Sequence, residues 1–329
     1  MRFFVTGGAG FIGSHYVRAL LRRGHPGWED ADVTVLDKLT YAGNLANLAS
    51  VAGHPQFTFI RGDIADRSLL KEVVPGHDVI VNFAAESHVD RSIDDAGDFV
   101  TTNVLGTGRL LQAALEYGVR TFVQVSTDEV YGSIDDGAWR ETEPLLPNSP
   151  YSAAKAGADL LCRAFNRTYG LDVRITRCSN NYGPRQYPEK IIPLSIANLL
   201  DGRKIPLYGD GRNVREWLHV DDHCRGIQLV LEKGSAGETY NIGGGTELTN
   251  LELVGRLLEA VGEGWDMVEC VADRPGHDRR YSIDTTKIRG LGYRPEVDFD
   301  EGLAAVVRWY ADNEDFWRPL IEAAHPAVR

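Results

Sequence analysis

Tyr151 and Lys155 stand four positions apart, the spacing that puts two side chains on one face of a helix. An ammonium held beside a phenol stabilises phenolate, so this pair can act as a base toward a hydroxyl proton. Ser149-Pro150 supplies an N-cap and a first-turn proline just ahead of it, and the positive helix end adds to the effect; the expectation is a tyrosine of lowered pKa. A second group, Thr127-Asp128-Glu129, closes the apolar stretch Thr121 to Ser126. Two carboxylates in unequal environments can serve as an acid and a base together. Adjacent side chains diverge in both helix and strand, so their convergence on one substrate requires an irregular backbone at this point. A third group, Gly7-x-x-Gly10-x-x-Gly13, follows the first apolar stretch and opens a helical one. Gly7 and Gly10 allow the backbone to approach a pyrophosphate at the helix N-terminus, and Gly13 lets that helix close on the strand. Asp37 falls 24 residues beyond Gly13, near the spacing of a carboxylate that binds adenosine ribose, and its charge selects NAD over NADP.

These residues need a scaffold that brings them to one edge. Short β-branched or aromatic runs at Phe3 to Thr6, Val33 to Asp37, Phe57 to Arg61, Val79 to Phe83, Thr121 to Ser126 and Asp172 to Arg177 alternate with helical patterns. The helical patterns run from Ile12 to Arg23, near Arg67 to Val74, and over Phe99 to Tyr117 and Tyr151 to Tyr169. The alternation predicts an α/β fold with a doubly wound parallel sheet of Rossmann type, and Lys38, Asp63, Ile64, Ala84 and Ala85 then join Asp37 at strand C-termini, where a dinucleotide lies. Pro184, Pro188, Pro193 and Pro206 interrupt the pattern, so a second, smaller, mixed α/β domain is expected over residues 181–329, after an NAD-binding domain over 1–180. A strand near Thr239 to Ile242 returns to the first sheet, within a segment near 215–245, and the domains interleave. Helices resume near Asp222 to Glu232 and over Asn250 to Val261, and the end, His325-Pro326-Ala327, reads as a frayed tail.

Composition narrows the function further. The 329 residues carry 35 Lys plus Arg against 47 Asp plus Glu, a net charge of −12 that repels duplex nucleic acid and anionic lipid. No apolar run approaches the roughly 18 residues of a membrane helix, and the glycines follow Val5 too closely for a signal-peptide core, which reads as cytoplasmic. The 4 cysteines lack any Cys-x-x-Cys pair and are expected as buried thiols, with no metal site.

Together the three groups resemble the extended short-chain dehydrogenase/reductases and, within them, the NAD-dependent dTDP-glucose 4,6-dehydratases. The resemblance extends through Asn82-Phe83-Ala84-Ala85-Glu86-Ser87-His88-Val89-Asp90-Arg91-Ser92, Cys178-Ser179-Asn180-Asn181-Tyr182-Gly183-Pro184, Pro188-Glu189-Lys190, Arg215-Glu216-Trp217 and Asp273-Arg274-Pro275-Gly276-His277. It implies a tightly held NAD recycled in each turnover, contacted by Gly7, Gly10, Phe11, Ile12, Gly13, Asp37, Lys38, Asp63, Ile64, Ala84, Ala85, Tyr151 and Lys155. Tyr151, with Lys155 and Thr127, would deprotonate the glucosyl C4 hydroxyl as C4 is oxidised. Glu129 would then remove the C5 proton while a protonated Asp128 gives its proton to the departing C6 hydroxyl. The resemblance also implies a nucleotide-sugar site formed by Ser87, Asn180, Lys190, Pro206, Tyr208, Arg215, Asn250, Arg274 and His277, and a homodimer through helices 99–117 and 151–169.

The rival readings are a dehydratase acting on another nucleotide sugar and a UDP-sugar 4-epimerase. The epimerase needs no acid to expel a C6 hydroxyl, which weighs against it here. A non-catalytic NAD-binding regulator would have no use for the intact Thr127, Asp128, Glu129, Tyr151 and Lys155. The acidic total also hides a local basic site: Asn181 to Arg215 holds six basic and three acidic residues, and Arg274 to Arg289 five and two.

Overall fold

The computed structural model describes residues 1–22, 30–273 and 276–324. Its first six strands are β1 (Arg2–Thr6), β2 (Asp32–Asp37), β3 (Phe57–Arg61), β4 (Val79–Asn82), β5 (Thr121–Thr127) and β6 (Val173–Cys178). The next six are β7 (Asn180–Tyr182), β8 (Ile205–Tyr208), β9 (Val214–His219), β10 (Thr239–Ile242), β11 (Thr246–Thr249) and β12 (Val268–Val271). Seven of them pair in parallel in the order β10-β6-β5-β4-β1-β2-β3. Val5 of β1 sits between Val35 of β2 and Val81 of β4, three β-branched side chains on one face. Both faces are covered, as a parallel sheet requires. Phe3 and Val5 pack with Tyr16, Val17 and Leu20 of the helix Phe11–Leu21 and with Ile227 and Val230 of the helix Val220–Lys233. Phe4, pointing the other way, joins Leu70, Leu110, Leu111 and Cys162 on the opposite face. The chain order reverses between β1 and β4, and that switch point opens the crevice in which α/β sheets bind ligands.

A third apolar cluster, built from Ile196, Trp217, Leu253, Phe299, Tyr310 and Trp317, holds the helices Ile191–Leu200, Asn250–Val261 and Phe299–Asp312 together. Beside it run the sheets β11-β9-β7 and β12-β8. The chain passes from this layer through β9 and the helix Val220–Lys233 back to β10 at the edge of the large sheet.

Two prolines expected to interrupt the chain do not. Pro193 occupies the third position of the helix Ile191–Leu200, where a backbone N–H would have no helical partner, and Pro206 lies in β8, a strand of a two-stranded sheet. The helix expected from Phe99 begins at Gly97 and winds as a π-helix over Val100–Gly106 before continuing through Thr107–Glu116. Cys162, Cys178 and Cys224 are buried thiols, whereas Cys270 is exposed on β12. Among the described residues no helix is long and apolar enough to cross a membrane. Arg23 and the tail from His325 lie outside the described residues.

Candidate active site

The turn after β1 is shaped by space rather than by side chains. Gly7 has φ +68°, and a Cβ there would lie 2.5 Å from the Ala84 backbone nitrogen; at Gly13 it would lie 2.4 Å from the Gly7 carbonyl oxygen. Any larger residue would therefore push β1, β4 and the helix Phe11–Leu21 apart. Gly10 is the N-cap of that helix and no side chain caps it, leaving a helix N-terminus suited to an anionic group. Asp37, at the end of β2, accepts from the Ala9 amide through Oδ2 (2.9 Å) and from the Leu39 amide through Oδ1 (2.8 Å). Burial raises its carboxyl above the usual range, and these two amides pull it back. Leu39 holds φ +57°, a conformation costly for a branched side chain, so the backbone is bent to meet Asp37. Lys38 pairs with Asp63 at 2.8 Å. Asn103, within the π-helical segment, grips the Glu86 backbone from both sides, accepting from its amide (2.9 Å) and donating to its carbonyl (3.0 Å).

One cleft of about 450 Å³ is lined by Gly7, Gly10, Phe11, Ile12, Gly13, Asp37, Lys38, Asp63, Ile64, Ala84 and Ala85. Thr127, Asp128, Glu129, Tyr151 and Lys155 line the same cleft. Ser87, Asn180, Lys190, Pro206, Tyr208, Arg215, Asn250 and His277 line it as well. Arg274, the other expected diphosphate contact, lies outside the described residues. The fit to NAD rests on the glycine-shaped cradle and the amide-tethered Asp37 facing one crevice.

Asp128 and Glu129 reach the same cleft because the chain leaves β5 at Thr127 and enters a single 3-10 turn, Asp128–Tyr131. Thr127 Oγ1 accepts from the Glu129 amide (3.3 Å) and donates to Asp128 Oδ1 (3.3 Å). Asp128 is 2% exposed, and its Oδ2 is buried with no hydrogen-bond partner. Burial first, then the charge of Glu129, raises its carboxyl well above the ordinary range, which favours the protonated form.

The helix Pro150–Tyr169 carries Tyr151 and Lys155. Ser149 caps it, its hydroxyl accepting from the Ser152 amide at 3.1 Å, with Pro150 in the first turn. The tyrosine differs from expectation: its pKa is raised well above the usual value, by burial first and next by the nearby negative charge of Glu129, while a hydrogen bond with Thr127 works the other way. Lys155 Nζ donates instead to the Val125 carbonyl on β5 (2.7 Å), and burial lowers its own pKa. Burial therefore outweighs the hydrogen bond from Thr127.

Toward the second sheet, Arg215 is anchored by the Val214 and Asp278 carbonyls (2.7 and 3.0 Å) and lies 4.4 Å from the Tyr281 ring centroid. Lys190 donates to the Ser87 carbonyl at 2.8 Å, and His277 Nδ1 lies 2.6 Å from Asp273 Oδ1. Arg203, by contrast, pairs with Asp201 at the surface.

Sequence reasoning missed Glu189, Cys178 and Tyr281 as cleft residues. Burial pushes the Glu189 carboxyl up to about 7. Its place in Pro188-Glu189-Lys190 was visible, but no spacing rule links that loop to β5.

A family model described as GDP-mannose 4,6 dehydratase matches residues 4–306. A dTDP-glucose 4,6-dehydratase from Streptomyces niveus is 61% identical over 321 residues, covering 97% of this chain and 96% of that protein. Among solved structures, the dTDP-glucose 4,6-dehydratase DesIV from Streptomyces venezuelae with NAD bound superposes with a TM-score of 0.96 at 63% identity, covering 97% of this chain and all of that one (100%). A UDP-glucuronic acid 4-epimerase from Bacillus cereus with NAD bound shares the fold with a TM-score of 0.89 but is 30% identical, covering 95% and 99% of the two chains.

Proposed function

The chain belongs to the GDP-mannose 4,6-dehydratase family of nucleotide-sugar enzymes, and from that membership and the geometry of its cleft we propose how it dehydrates dTDP-glucose to dTDP-4-keto-6-deoxyglucose. It is a hydro-lyase with no net redox change. Bound NAD, seated along Gly7 to Gly13 and Asp37, accepts hydride from C4 and returns it to C6. Tyr151 takes the C4 hydroxyl proton, held by Thr127 and backed by Lys155. That role needs the phenolate, so Tyr151 must release its own proton first; burial and the charge of Glu129 oppose this and the Thr127 hydrogen bond favours it. The new C4 carbonyl acidifies the C5 hydrogen, which Glu129 removes. Asp128 gives its proton to the C6 oxygen, which leaves as water, and Glu129 then returns a proton to C5. Arg215, Lys190, His277, Asn180, Asn250 and Ser87 hold the nucleotide sugar, with Pro206 and Tyr208 against the base; the arginine fork suits a diphosphate.

The observation that carries this reading is the fully buried Asp128 beside Glu129 in the cleft that holds Tyr151. An epimerase has no step for a protonated carboxyl. Incubation with dTDP-, UDP- and CDP-glucose and with GDP-mannose, without added cofactor, is expected to give a 4-keto-6-deoxy product from the dTDP sugar. A product that keeps its C6 oxygen refutes dehydration.

The same reading includes a homodimer. Val100 and Leu105, on the π-helical segment, and Leu160, on the catalytic helix, are apolar side chains about half exposed (54%, 46% and 55%). A second copy of the chain is the occupant that would cover them. Leu160→Asp is expected to shift the protein to monomers in light scattering; a wild-type monomer at the same concentration refutes the dimer.

A further inference from the structure

The two halves of the reaction use two different elements. Tyr151 and Lys155 belong to the helix Pro150–Tyr169, whereas Asp128 and Glu129 belong to the 3-10 turn after β5. Proton transfer at C4, C5 and C6 of one ring requires those elements to keep a fixed separation, and a misplacement of about 1 Å can cost on the order of a hundredfold in rate. Below the cleft, one guanidinium touches both. Arg177, on β6, donates from Nε to Asp159 Oδ2 (2.9 Å), one helical turn beyond Lys155, and from Nη1 to the Tyr131 hydroxyl (2.8 Å). Tyr131 is the last residue of the turn that carries Asp128 and Glu129, and it is fully buried. Its hydroxyl in turn donates to Asn241 Oδ1 on β10 (2.9 Å), and Asn241 Nδ2 donates to the Trp139 carbonyl (2.9 Å). The Tyr131 ring stacks on Trp139 with centroids 6.2 Å apart.

We propose that Tyr131 is a positioning residue for the elimination half of the reaction: through Arg177 and Asp159 it fixes the acid–base turn against the catalytic helix. A buried ion pair such as Arg177–Asp159 adds little net stability once its desolvation cost is counted, but it imposes a directional constraint that an apolar contact would not. Without the Tyr131 hydroxyl, Asp128 and Glu129 lose their register to the sugar, while Tyr151 and Lys155 keep theirs through the Ser149 cap and the Val125 carbonyl.

The inference rests on the dehydratase reading, and the test separates the two. Tyr131→Phe keeps the ring, the stack on Trp139 and the cleft surface. Oxidation alone is read with dTDP-6-deoxyglucose, which has no C6 hydroxyl to lose, from the absorbance of reduced nicotinamide. Elimination is read from kcat on dTDP-glucose and from C5 deuterium exchange. The expected result is a loss of elimination on the order of tenfold or more, with oxidation changed less than about twofold. Equal losses in both, or a loss in neither, overturn the proposal. If Tyr131→Phe does not fold, Asn241→Ala, which leaves the Arg177 contact in place, must show the same split in smaller measure, and equal losses there overturn the proposal too. Failure of the wild-type protein to dehydrate dTDP-glucose would instead remove the underlying reading.

Discussion

Glu129→Gln is expected to stop the reaction between its two halves. The amide keeps the shape of the side chain and removes its basicity, so the C5 hydrogen stays in place while Tyr151 continues to support oxidation at C4. With dTDP-glucose in deuterated buffer, C5 exchange should fall by a factor on the order of a hundred to ten thousand, the usual worth of a positioned base. The absorbance of reduced nicotinamide should rise and persist, because the 4-keto sugar has no route forward. The partition follows from the geometry: Glu129 sits on the turn Asp128–Tyr131, while Tyr151 and Lys155 sit on a separately capped helix. One consequence concerns Tyr151 itself. The charge of Glu129 is the second cause of its raised pKa, so the neutral glutamine should move the acidic limb of the oxidation rate toward lower pH. Loss of the bound dinucleotide, or loss of oxidation along with exchange, would show that Glu129 holds the cleft together rather than acting as the base.

The parts of the molecule that could be read from sequence are those in which one local pattern has one physical meaning. Gly7 and Gly13 are required by backbone atoms 2.5 and 2.4 Å from where a Cβ would stand, and Asp37 by two amides it must meet, so spacing alone located them. The strands of the parallel sheet, buried on both faces, announce themselves as apolar runs. The second sheet system was harder. β7, β8, β11 and β12 have three or four residues each, too short for a period, and Pro193 reads as a breaker until it is known to fall in a first helical turn. Burial was the other obstacle. Tyr151 and Lys155 were recognisable as a pair, but the sign of the phenol's shift depends on how much water is excluded and on where Lys155 Nζ is tethered, neither of which a spacing encodes. The same holds for Glu189, whose neighbours come from distant parts of the chain.

Asp128→Asn is expected to produce opposite changes in activity and stability, and the pH dependence of the second identifies the cause of the first. The amide cannot deliver a proton to the C6 oxygen, so kcat on dTDP-glucose should fall by a factor on the order of a hundred to ten thousand, with C5 exchange retained because Glu129 is intact. Burial and the neighbouring Glu129 hold the native Asp128 pKa well above that of an unfolded aspartate. Below about pH 4 both native and unfolded chains carry the proton, and Asp128 contributes no pH dependence. Above that, the unfolded chain has released the proton that the native chain keeps, so wild-type stability falls as pH rises, by at most about 1.4 kcal/mol per pH unit from this group. The fall ends when pH passes the native pKa. Asparagine has no proton to hold, so the stability of Asp128→Asn relative to wild type should climb from about pH 4 until pH reaches the native pKa of Asp128, measured by denaturant unfolding across a pH series. A difference that stays flat over that range would mean that Asp128 is ionised in the native protein, and a carboxylate there could not serve as the acid that expels water.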